Sequence, residues 1–159
     1  MAIRFDENDA RVVGRTARGV KAITLDEGDE VVGMAICEPN KLWLTISETG
    51  YGRLSELSDY RVQSRGGKGL TNYHTDEYGN VAAVRMVSMD EDIIMISAGG
   101  IIIRLPVSEI RQCRRPSKGV TVMKFRVDGD RIVSLVQTPH EEEEVEVTEA
   151  TVEASTTEE

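Results

Sequence analysis

Arg65-Gly66-Gly67-Lys68-Gly69-Leu70 is the central copy of a basic motif that occurs three times in this chain of 159 residues. The other copies lie fifty residues to either side, at Arg15-Thr16-Ala17-Arg18-Gly19-Val20 and Arg115-Pro116-Ser117-Lys118-Gly119-Val120. In each copy a basic residue follows the first arginine by three positions and precedes a glycine and an aliphatic residue. A fixed period of this length is typical of propellers and stacked arrays. The sequence therefore predicts one structural unit that repeats along the chain.

Each period contains four short apolar segments that suit β-strands. In the first period they follow Gly19, cover residues 31–36 and 42–47, and follow Gly50. In the second period the matching segments include residues 81–87, 92–97 and 101–105. Gly, Asp and Asn separate the segments, as turns require, and no stretch combines a helical period with helix caps. We therefore predict an all-β, propeller-like fold in which four-stranded blades repeat every 50 residues.

The phase of the repeat divides the chain into five parts. Residues 1–13 match the end of a preceding blade, residues 14–63 and 64–113 are two whole blades, residues 114–140 are a partial last blade, and residues 141–159 are an acidic tail. The tail has no packing pattern and is predicted to be disordered. Repeat units bury their apolar faces against neighbours, so a short array with partial units indicates a piece of something larger.

The charge is distributed unevenly. The formal net charge is -9, and the tail alone carries nine Glu with no Lys or Arg, so residues 1–140 are neutral with 19 basic and 19 acidic side chains. Residues 10–25, 60–75 and 110–127 contain no acid and hold 13 of the 19 basic residues. Each of these windows contains one copy of the motif. The folded part should therefore be strongly polarised, with the motif on its basic side.

The motif has the chemistry of a phosphate-binding loop. Glycines let the backbone approach a phosphate closely, and successive amides can form an anion-binding concavity to which Arg65 and Lys68 would add charge. This chemistry suits the phosphodiester backbone of DNA. The motif lacks side chains suited to reading base edges, so recognition of DNA would depend on its backbone and its deformability. The alternative is that Gly19, Gly69 and Gly119 begin strands after tight turns, with the basic residues solvated beside them. The exclusion of acids from the same phase of every repeat favours the functional interpretation.

The segment Gln63-Ser64-Arg65-Gly66-Gly67-Lys68-Gly69 resembles the seven-residue box of the C-terminal domain of the bacterial DNA gyrase A subunit, with Ser64 in place of an arginine. The resemblance covers about residues 3–138 and includes residues 14–20, 48–53 and 103–104. It implies a β-pinwheel, a ring of blades whose rim binds, bends and wraps duplex DNA without sequence specificity. This chain is similar to the last two or so blades of such a ring.

The resemblance also implies a site, partners and a place of action. The DNA-binding residues would be Arg15, Arg18, Gln63, Arg65, Gly66, Gly67, Lys68, Gly69, Arg114, Arg115 and Lys118. The partners would be duplex DNA, the gyrase B subunit, and the remainder of the gyrase A subunit in the bacterial cytoplasm, near the nucleoid, with no membrane and no small-molecule substrate. We expect no cofactor in this chain, with ATP and magnesium acting elsewhere in this type II topoisomerase, and no catalytic residue, because the nucleophilic tyrosine of the family lies upstream.

Other candidate residues are explained more simply by packing or solvation. The four tyrosines have no neighbouring base, and the two histidines are single: Tyr51, Tyr60, Tyr73, Tyr78, His74 and His140. Trp43 lies in an apolar segment, residues 90–92 are an acidic cluster before an apolar run, and Cys37 and Cys113 are interpreted as reduced thiols.

Three alternatives to the gyrase interpretation stay open. They are the pinwheel of the topoisomerase IV counterpart of gyrase A, a protein-interaction module of propeller-like fold, and a truncated fragment without function.

Overall fold

The computed structural model describes residues 1–141, and the predicted disordered tail lies outside this range from residue 142 onward. The regular structure of the described part is seven antiparallel strands in two sheets, with one helix of only four residues, which confirms the all-β prediction. The strands are β1 Leu42–Ser47, β2 Tyr51–Ser55, β3 Val81–Val87, β4 Glu91–Ser97, β5 Ile102–Pro106, β6 Val120–Thr121 and β7 Ile132–Pro139. The helix is Thr75–Tyr78, and residues 1–141 also contain three 3-10 turns, at Glu7–Asp9, Leu57–Asp59 and Val107–Glu109. No helix within residues 1–141 is long and apolar enough to cross a membrane.

The first sheet has four strands in the order β3-β1-β2-β6. Its centre is the hairpin of β1 and β2, in which Leu44 is opposite Leu54. The predicted turn at Gly50 is present: the Gly50 amide donates to the Ser47 carbonyl at 3.1 Å, and the positive φ of 86° is one that glycine adopts without strain. The last four residues of β1 and of β2 are all buried, because the sheet is covered on both faces.

The second sheet has three strands in the order β5-β4-β7 and repeats this pattern. β4 and β5 form the hairpin, with Ile94 opposite Arg104, and β7 pairs with the other edge of β4. Ile93, Met95 and Ile132 are almost completely buried and join the core of the first sheet in a single hydrophobic cluster. The first sheet has four strands, the number predicted for a blade, but they do not come from one fifty-residue period, and the second sheet has three.

Each sheet is assembled from more than one repeat. The four-stranded sheet takes β1 and β2 from residues 14–63, β3 from residues 64–113 and β6 from residues 114–140. The three-stranded sheet combines β4 and β5 from residues 64–113 with β7 from residues 114–140. The residue blocks of the sequence repeat thus contribute strands to one another's sheets. This sharing of strands ties consecutive repeats into one folded body.

The prediction of a strand at residues 31–36 is wrong for this structure. The segment has no strand conformation and is exposed at every position, although the matching segments of later repeats form β3 and β7. The residues after Gly19 likewise form no strand, whereas the residues after Gly119 form β6. The physical reason is pairing, because β3 and β7 each lie against the hairpin of the preceding repeat. The described chain offers the first repeat no such hairpin.

Candidate nucleic-acid interface

The arginine that begins the motif holds its loop against the preceding repeat. Arg65 donates from Nε to the Asp9 carbonyl at 2.7 Å and from a terminal nitrogen to the Lys21 carbonyl at 3.1 Å. Asp9 ends the 3-10 turn Glu7–Asp9, so the guanidinium connects the motif loop to this turn. Hydrogen bonds with a charged donor contribute about 1.5–3 kcal/mol, and less where they are exposed to solvent, as both of these are. Arg65 therefore has a structural role in addition to its predicted contact with DNA.

The third copy of the motif makes the same contacts fifty residues later. Arg115 donates from Nε to the Asp59 carbonyl at 2.7 Å and from a terminal nitrogen to the Thr71 carbonyl at 3.4 Å. Asp59 ends the turn Leu57–Asp59, the counterpart of the first turn. Because the two loops contact equivalent groups, they lie on the same edge of successive repeats. Sequence reasoning missed this anchoring role, although the recurrence of an acid-ended turn six residues before each arginine was a visible signal.

The second basic residue of the motif has a different environment in each copy. Arg18 is exposed to solvent. Lys68 forms an ion pair with Asp26 at 2.9 Å, in which both side chains are largely exposed, and the hydrogen bond to Asp26 raises the pKa of Lys68. Lys118 is half-buried, and its Nζ lies 3.8 Å from the centroid of the Tyr51 ring and 5.6 Å from that of Tyr78. Arg18 and Lys68 are thus the more accessible cations, and Lys118 is held by aromatic rings.

Further cations of the predicted site are directed to solvent. Arg15 is exposed, and Arg114 is exposed at the mouth of a groove of about 330 Å³ that also includes Glu56, Asp59 and Gln112. An equivalent groove of about 320 Å³ lies one repeat earlier, lined by Asp9, Ser64 and Arg65. Position 114, beside the groove of the third copy, is thus an exposed arginine, whereas the matching position 64, beside the groove of the second copy, is a serine. The loss of a cation at Ser64 is a difference in charge between two otherwise matching loops.

The glycines of the box are engaged in backbone contacts. The Gly66 amide donates to the Ala22 carbonyl at 2.6 Å, and the Gly66 and Gly67 carbonyls accept hydrogen bonds from Thr24. The Gly66 amide is therefore occupied and cannot contribute to the predicted cradle of free amides. Gly69 has a φ of 77°, and a Cβ there would overlap the carbonyl oxygen of Ala2. Gly119 faces the carbonyl of Gly52 in the same way, so these two glycines permit close pairing with the preceding repeat.

Gln63, the first residue of the box, also has a structural contact. Its backbone N–H donates to the Arg4 carbonyl at 2.8 Å, and the backbone N–H of Cys113, at the matching position of the third copy, donates to the Leu54 carbonyl at 2.8 Å. The side-chain amide nitrogen of Gln63 is buried and has no hydrogen-bond acceptor among residues 1–141. The structure thus places Gln63, Arg65, Gly66 and Gly69 in the joint between repeats, with Arg15, Arg18, Lys68 and Arg114 toward solvent.

Comparison with known protein families matches almost all of the described chain. The family model described as "DNA gyrase C-terminal domain, beta-propeller" covers residues 1–38, 41–88 and 91–139. Each of these three segments contains one copy of the basic motif. The chain belongs to this family.

Relatives of known name support the same assignment. The gyrase A protein of Staphylococcus aureus strain NCTC 8325 is 43% identical over 150 residues, which cover 92% of this chain and 17% of that protein. The gyrase A protein of strain MRSA252 is 42% identical over 161 residues, covering 98% of this chain and 18% of that protein. The chain therefore spans less than a fifth of the length of these gyrase A proteins.

Solved structures of C-terminal domains share the fold. A DNA gyrase A C-terminal domain superimposes with a TM-score of 0.75 at 28% identity and covers 84% of this chain and 46% of that domain. The C-terminal domain of a DNA topoisomerase IV superimposes with a TM-score of 0.77 at 22% identity, covering 85% of this chain and 42% of the other. The likeness to topoisomerase IV concerns the fold alone. These matches confirm the predicted propeller-like fold of the gyrase A family.

The acidic cluster at residues 90–92 differs from its prediction as a solvated turn. Asp90 is exposed, but Asp92 lies in β4 and is buried, where it accepts hydrogen bonds from Arg104 at 2.7 Å and pairs with Nδ1 of His140 at 2.7 Å. Burial opposes ionisation of Asp92, but the hydrogen bonds from His140 and Arg104 outweigh it and lower the pKa. His140, whose side chain is partly exposed, is therefore part of a polar cluster with Asp92 and Arg104 in this gyrase-family chain. Within residues 1–141 no group of three His, Cys, Asp or Glu side chains is arranged to hold a metal ion.

Tyr60 and Tyr73 are buried, as the packing interpretation expects, and burial raises the pKa of each hydroxyl. The Tyr60 hydroxyl donates to the side chain of Asn72, and the Tyr73 hydroxyl donates to the Lys118 carbonyl at 3.1 Å. Trp43 is half-buried and packs its ring edge-on to Tyr60. Cys37 is exposed and Cys113 is half-buried, and neither forms a disulfide.

Proposed function

We propose that this chain binds, bends and wraps duplex DNA, without reading its sequence, as part of a gyrase A protein. In that role it contributes to the ATP-dependent negative supercoiling carried out by the whole enzyme. The observation that carries the proposal is the recurrence of a basic loop on the same edge of successive repeats, through the matched contacts of Arg65 and Arg115. The 43% identity to a gyrase A protein supports it and favours gyrase over topoisomerase IV.

The arrangement suits a bent phosphate backbone. The arginines at positions 65 and 115 hold the two loops in equivalent places, and each loop has an exposed cation beside that arginine, at Lys68 in the second copy and at Arg114 in the third. Arg15, Arg18 and Lys68 lie in the first two loops, and Arg114 lies in the third. A duplex that follows the edge of the array would meet one basic loop per repeat, and its bending energy would be offset by these phosphate contacts.

The proposal extends to partners and place of action. The chain acts together with the gyrase B subunit, with the remaining blades and with the cleavage region of the gyrase A protein. ATP and magnesium serve the complex at sites in those other parts, and this chain supplies no cofactor ligand and no catalytic group. The place of action is the bacterial cytoplasm, at the nucleoid.

A salt titration with a DNA-bending readout tests the proposal. The chain is titrated into a duplex labelled at both ends, and affinity and energy transfer are followed from low to high salt. Affinity should fall steeply with salt and energy transfer should rise on binding. The triple variant Arg18→Ala, Lys68→Ala and Arg114→Ala should reduce the salt slope by roughly two to three, since each phosphate contact contributes about 0.9.

A matched variant removes three positive charges outside the acid-free windows, with Lys41→Ala, Arg85→Ala and Arg131→Ala. This control should keep most of the affinity and the bending signal. If both triple variants lose affinity equally, the effect is one of net charge and the motif loops are not the binding site. Absence of bending together with tight binding to an acidic protein would favour the protein-interaction module instead.

A further inference from the structure

Lys118, the second basic residue of the third motif copy, is held by tyrosines from two other segments. Its Nζ lies 3.8 Å from the centroid of the Tyr51 ring, at the start of β2, and 5.6 Å from that of Tyr78, at the end of the short helix. Both distances are within the range of a cation–π interaction. The Tyr73 hydroxyl donates to the Lys118 carbonyl at 3.1 Å. The lysine is thus restrained at its ammonium and at its backbone.

The two rings that face the ammonium, which we call the tyrosine pair, are anchored to the β1–β2 turn. Tyr51 begins β2, and its backbone N–H donates to the Ser47 hydroxyl at 3.1 Å. The Tyr78 carbonyl accepts a hydrogen bond from the Thr49 hydroxyl. The Tyr78 ring also packs edge-on to that of buried Tyr73, with 5.6 Å between the centroids. The tyrosine pair therefore offers the lysine a fixed surface.

The ammonium of Lys118 has N–H donors that the protein does not use. Among residues 1–141, no carboxylate lies within ion-pair distance of its Nζ, whereas the equivalent Lys68 is paired with Asp26 at 2.9 Å. An ammonium has three donors, and a ring that covers one side of it leaves the donors on the other side free for an oxygen acceptor. The side chain is half-buried, so this open side still faces solvent.

The tyrosine pair distinguishes the third motif copy from the second. The residues fifty positions before Tyr51 and Tyr78 are Met1 and Gly28, and neither has an aromatic ring to offer Lys68. The second lysine therefore has only its exposed ion pair, which it must leave before it can contact a phosphate. Two lysines at the same position of the repeat are thus prepared differently for an anion.

We propose that Tyr51 and Tyr78 are positioning residues of the DNA-binding edge, and that they hold the Lys118 ammonium in place for one phosphate of duplex DNA. A lysine that is free in solution loses rotamer freedom when it contacts a phosphate, whereas Lys118 has lost much of that freedom on folding. Its open donors also have no carboxylate to leave. Lys118 therefore makes a firmer phosphate contact than Lys68. This inference rests on the proposed function, because it takes the phosphate from duplex DNA.

Double-mutant cycles in the full chain test the proposal, with the affinity for a short duplex at low salt as the readout. Lys118→Ala should lower the affinity by about tenfold and Tyr51→Leu by about fivefold. The double variant should lose no more than Lys118→Ala alone, because the ring acts only through the lysine. The matched cycle replaces Lys118→Ala with Lys68→Ala. There the loss from Lys68→Ala should be about twofold, and the two losses should multiply.

A conservative variant separates the ring from its hydroxyl. Tyr51→Phe keeps the aromatic face and should bind the duplex within about twofold of the unsubstituted chain. If Tyr51→Phe loses as much affinity as Tyr51→Leu, the hydroxyl itself contacts DNA and the positioning role is wrong. Tyr78→Leu and Tyr78→Phe repeat the comparison on the short helix, so the test does not depend on one variant. Urea denaturation verifies that each variant is folded under the binding conditions.

The outcome is separable from that of the proposed function. If the unsubstituted chain binds the duplex with a steep salt dependence, but the losses from Tyr51→Leu and Lys118→Ala multiply, the positioning role is refuted and the proposed function stands. A loss from Lys118→Ala no larger than that from Lys68→Ala would refute the firmer contact in the same way. If the unsubstituted chain shows no salt-dependent binding, the proposed function is refuted, and the phosphate contact of Lys118 with it.

Discussion

At the scale of single residues, the repeated arginine of the motif both anchors its loop and lies in the proposed DNA-binding site. Arg65 and Arg115 each donate two hydrogen bonds to backbone carbonyls that lie earlier in the chain. The acceptors are Asp9 and Lys21 for Arg65, and Asp59 and Thr71 for Arg115. A guanidinium has five donors, so each of these arginines can still face a phosphate. Arg114, the next residue along the chain, is exposed and lies at the rim of its groove. Adjacent arginines in one loop therefore have separable roles.

Alanine substitutions should separate these roles. Arg115→Ala should lower the free energy of unfolding by about 2 kcal/mol, because it removes one short hydrogen bond with a charged donor and one long one at 3.4 Å, both only partly buried. Arg114→Ala removes the same charge from an exposed position and should change that free energy by less than about 0.5 kcal/mol, while lowering the salt slope of DNA binding by about one. Urea denaturation and the salt titration measure the two effects. Equal losses of stability in both variants would contradict the anchoring role of Arg115.

Two glycines with the same backbone conformation should respond differently to alanine. Gly119 and Gly100 both have a positive φ, of 84° and 83°. A Cβ at Gly119 would overlap the Gly52 carbonyl, whereas a Cβ at Gly100 would have no atom of residues 1–141 within 4 Å apart from its two neighbours in the chain. Gly100→Ala should therefore cost about 1–2 kcal/mol from backbone strain, and Gly119→Ala about 3 kcal/mol or more. Chemical denaturation tests this, and similar values for the two variants would contradict close pairing at β6.

At the scale of elements, a buried arginine links β2 to the loop before the short helix. Arg53 is fully buried and donates to Ser55 within β2 and to the carbonyl and side chain of Asn72. Asn72 in turn accepts from Tyr60 and donates to Thr45 in β1 at 3.2 Å. The network thus connects the first sheet with the loop that follows the box.

Removing this arginine should destabilise the fold strongly. Arg53→Leu would leave the Asn72 oxygens and the Ser55 hydroxyl without their charged donor in a buried place, at a cost of roughly 3 kcal/mol. Arg85→Leu, on the exposed side of β3, removes a single contact with the adjacent Val84 carbonyl and should cost less than about 1 kcal/mol. Thermal unfolding of both variants makes the comparison. A cost for Arg53→Leu no larger than that of Arg85→Leu would contradict the network.

The Asp92 cluster at the end of the second sheet should give acid-sensitive stability. The pKa of Asp92 is lowered in the folded chain from its usual 3.8, so its ionised form favours folding above about that pH. This contribution is lost as the pH falls through the folded pKa. Asp92→Asn should therefore lower the Tm clearly at pH 7, and the difference from the unsubstituted chain should shrink below about pH 3.8. Exposed Asp90→Asn is the control, and a difference for Asp92→Asn that does not change with pH would count against the ion pairs.

At the scale of the whole molecule, charge separates along the chain. Residues 1–140 are neutral overall, while residues 141–159 contain nine Glu and no basic residue. Removal of residues 142–159 should tighten binding to duplex DNA by roughly threefold to tenfold at low salt, because carboxylates compete with phosphates for the basic loops. The difference should vanish at high salt. A tail of equal length with Gln in place of Glu serves as the control, and unchanged affinity after truncation would contradict the competition.

The sequence by itself determined the repeat, the strand-rich composition and the family. The period at Arg15, Arg65 and Arg115 is visible without structure because equivalent contacts, repeated in space, require equivalent residues at equal spacing. The hairpin turn at Gly50 could likewise be predicted from local chemistry, since few residues other than glycine accept its positive φ. The box at residues 63–69 identified the family, and the comparisons confirmed it.

Only the tertiary structure decided which strand pairs with which and which motif residues face solvent. Residues 31–36 read as a strand because their apolar pattern matches β3, but a strand needs a partner, and the partners of β3 and β7 come from the preceding repeat. The contacts of Arg65 and the Gly66 amide with residues distant in sequence depend in the same way on the packing of repeats. Local sequence encodes the preference for a strand or a turn, whereas pairing between distant segments is set by packing that only the folded chain makes.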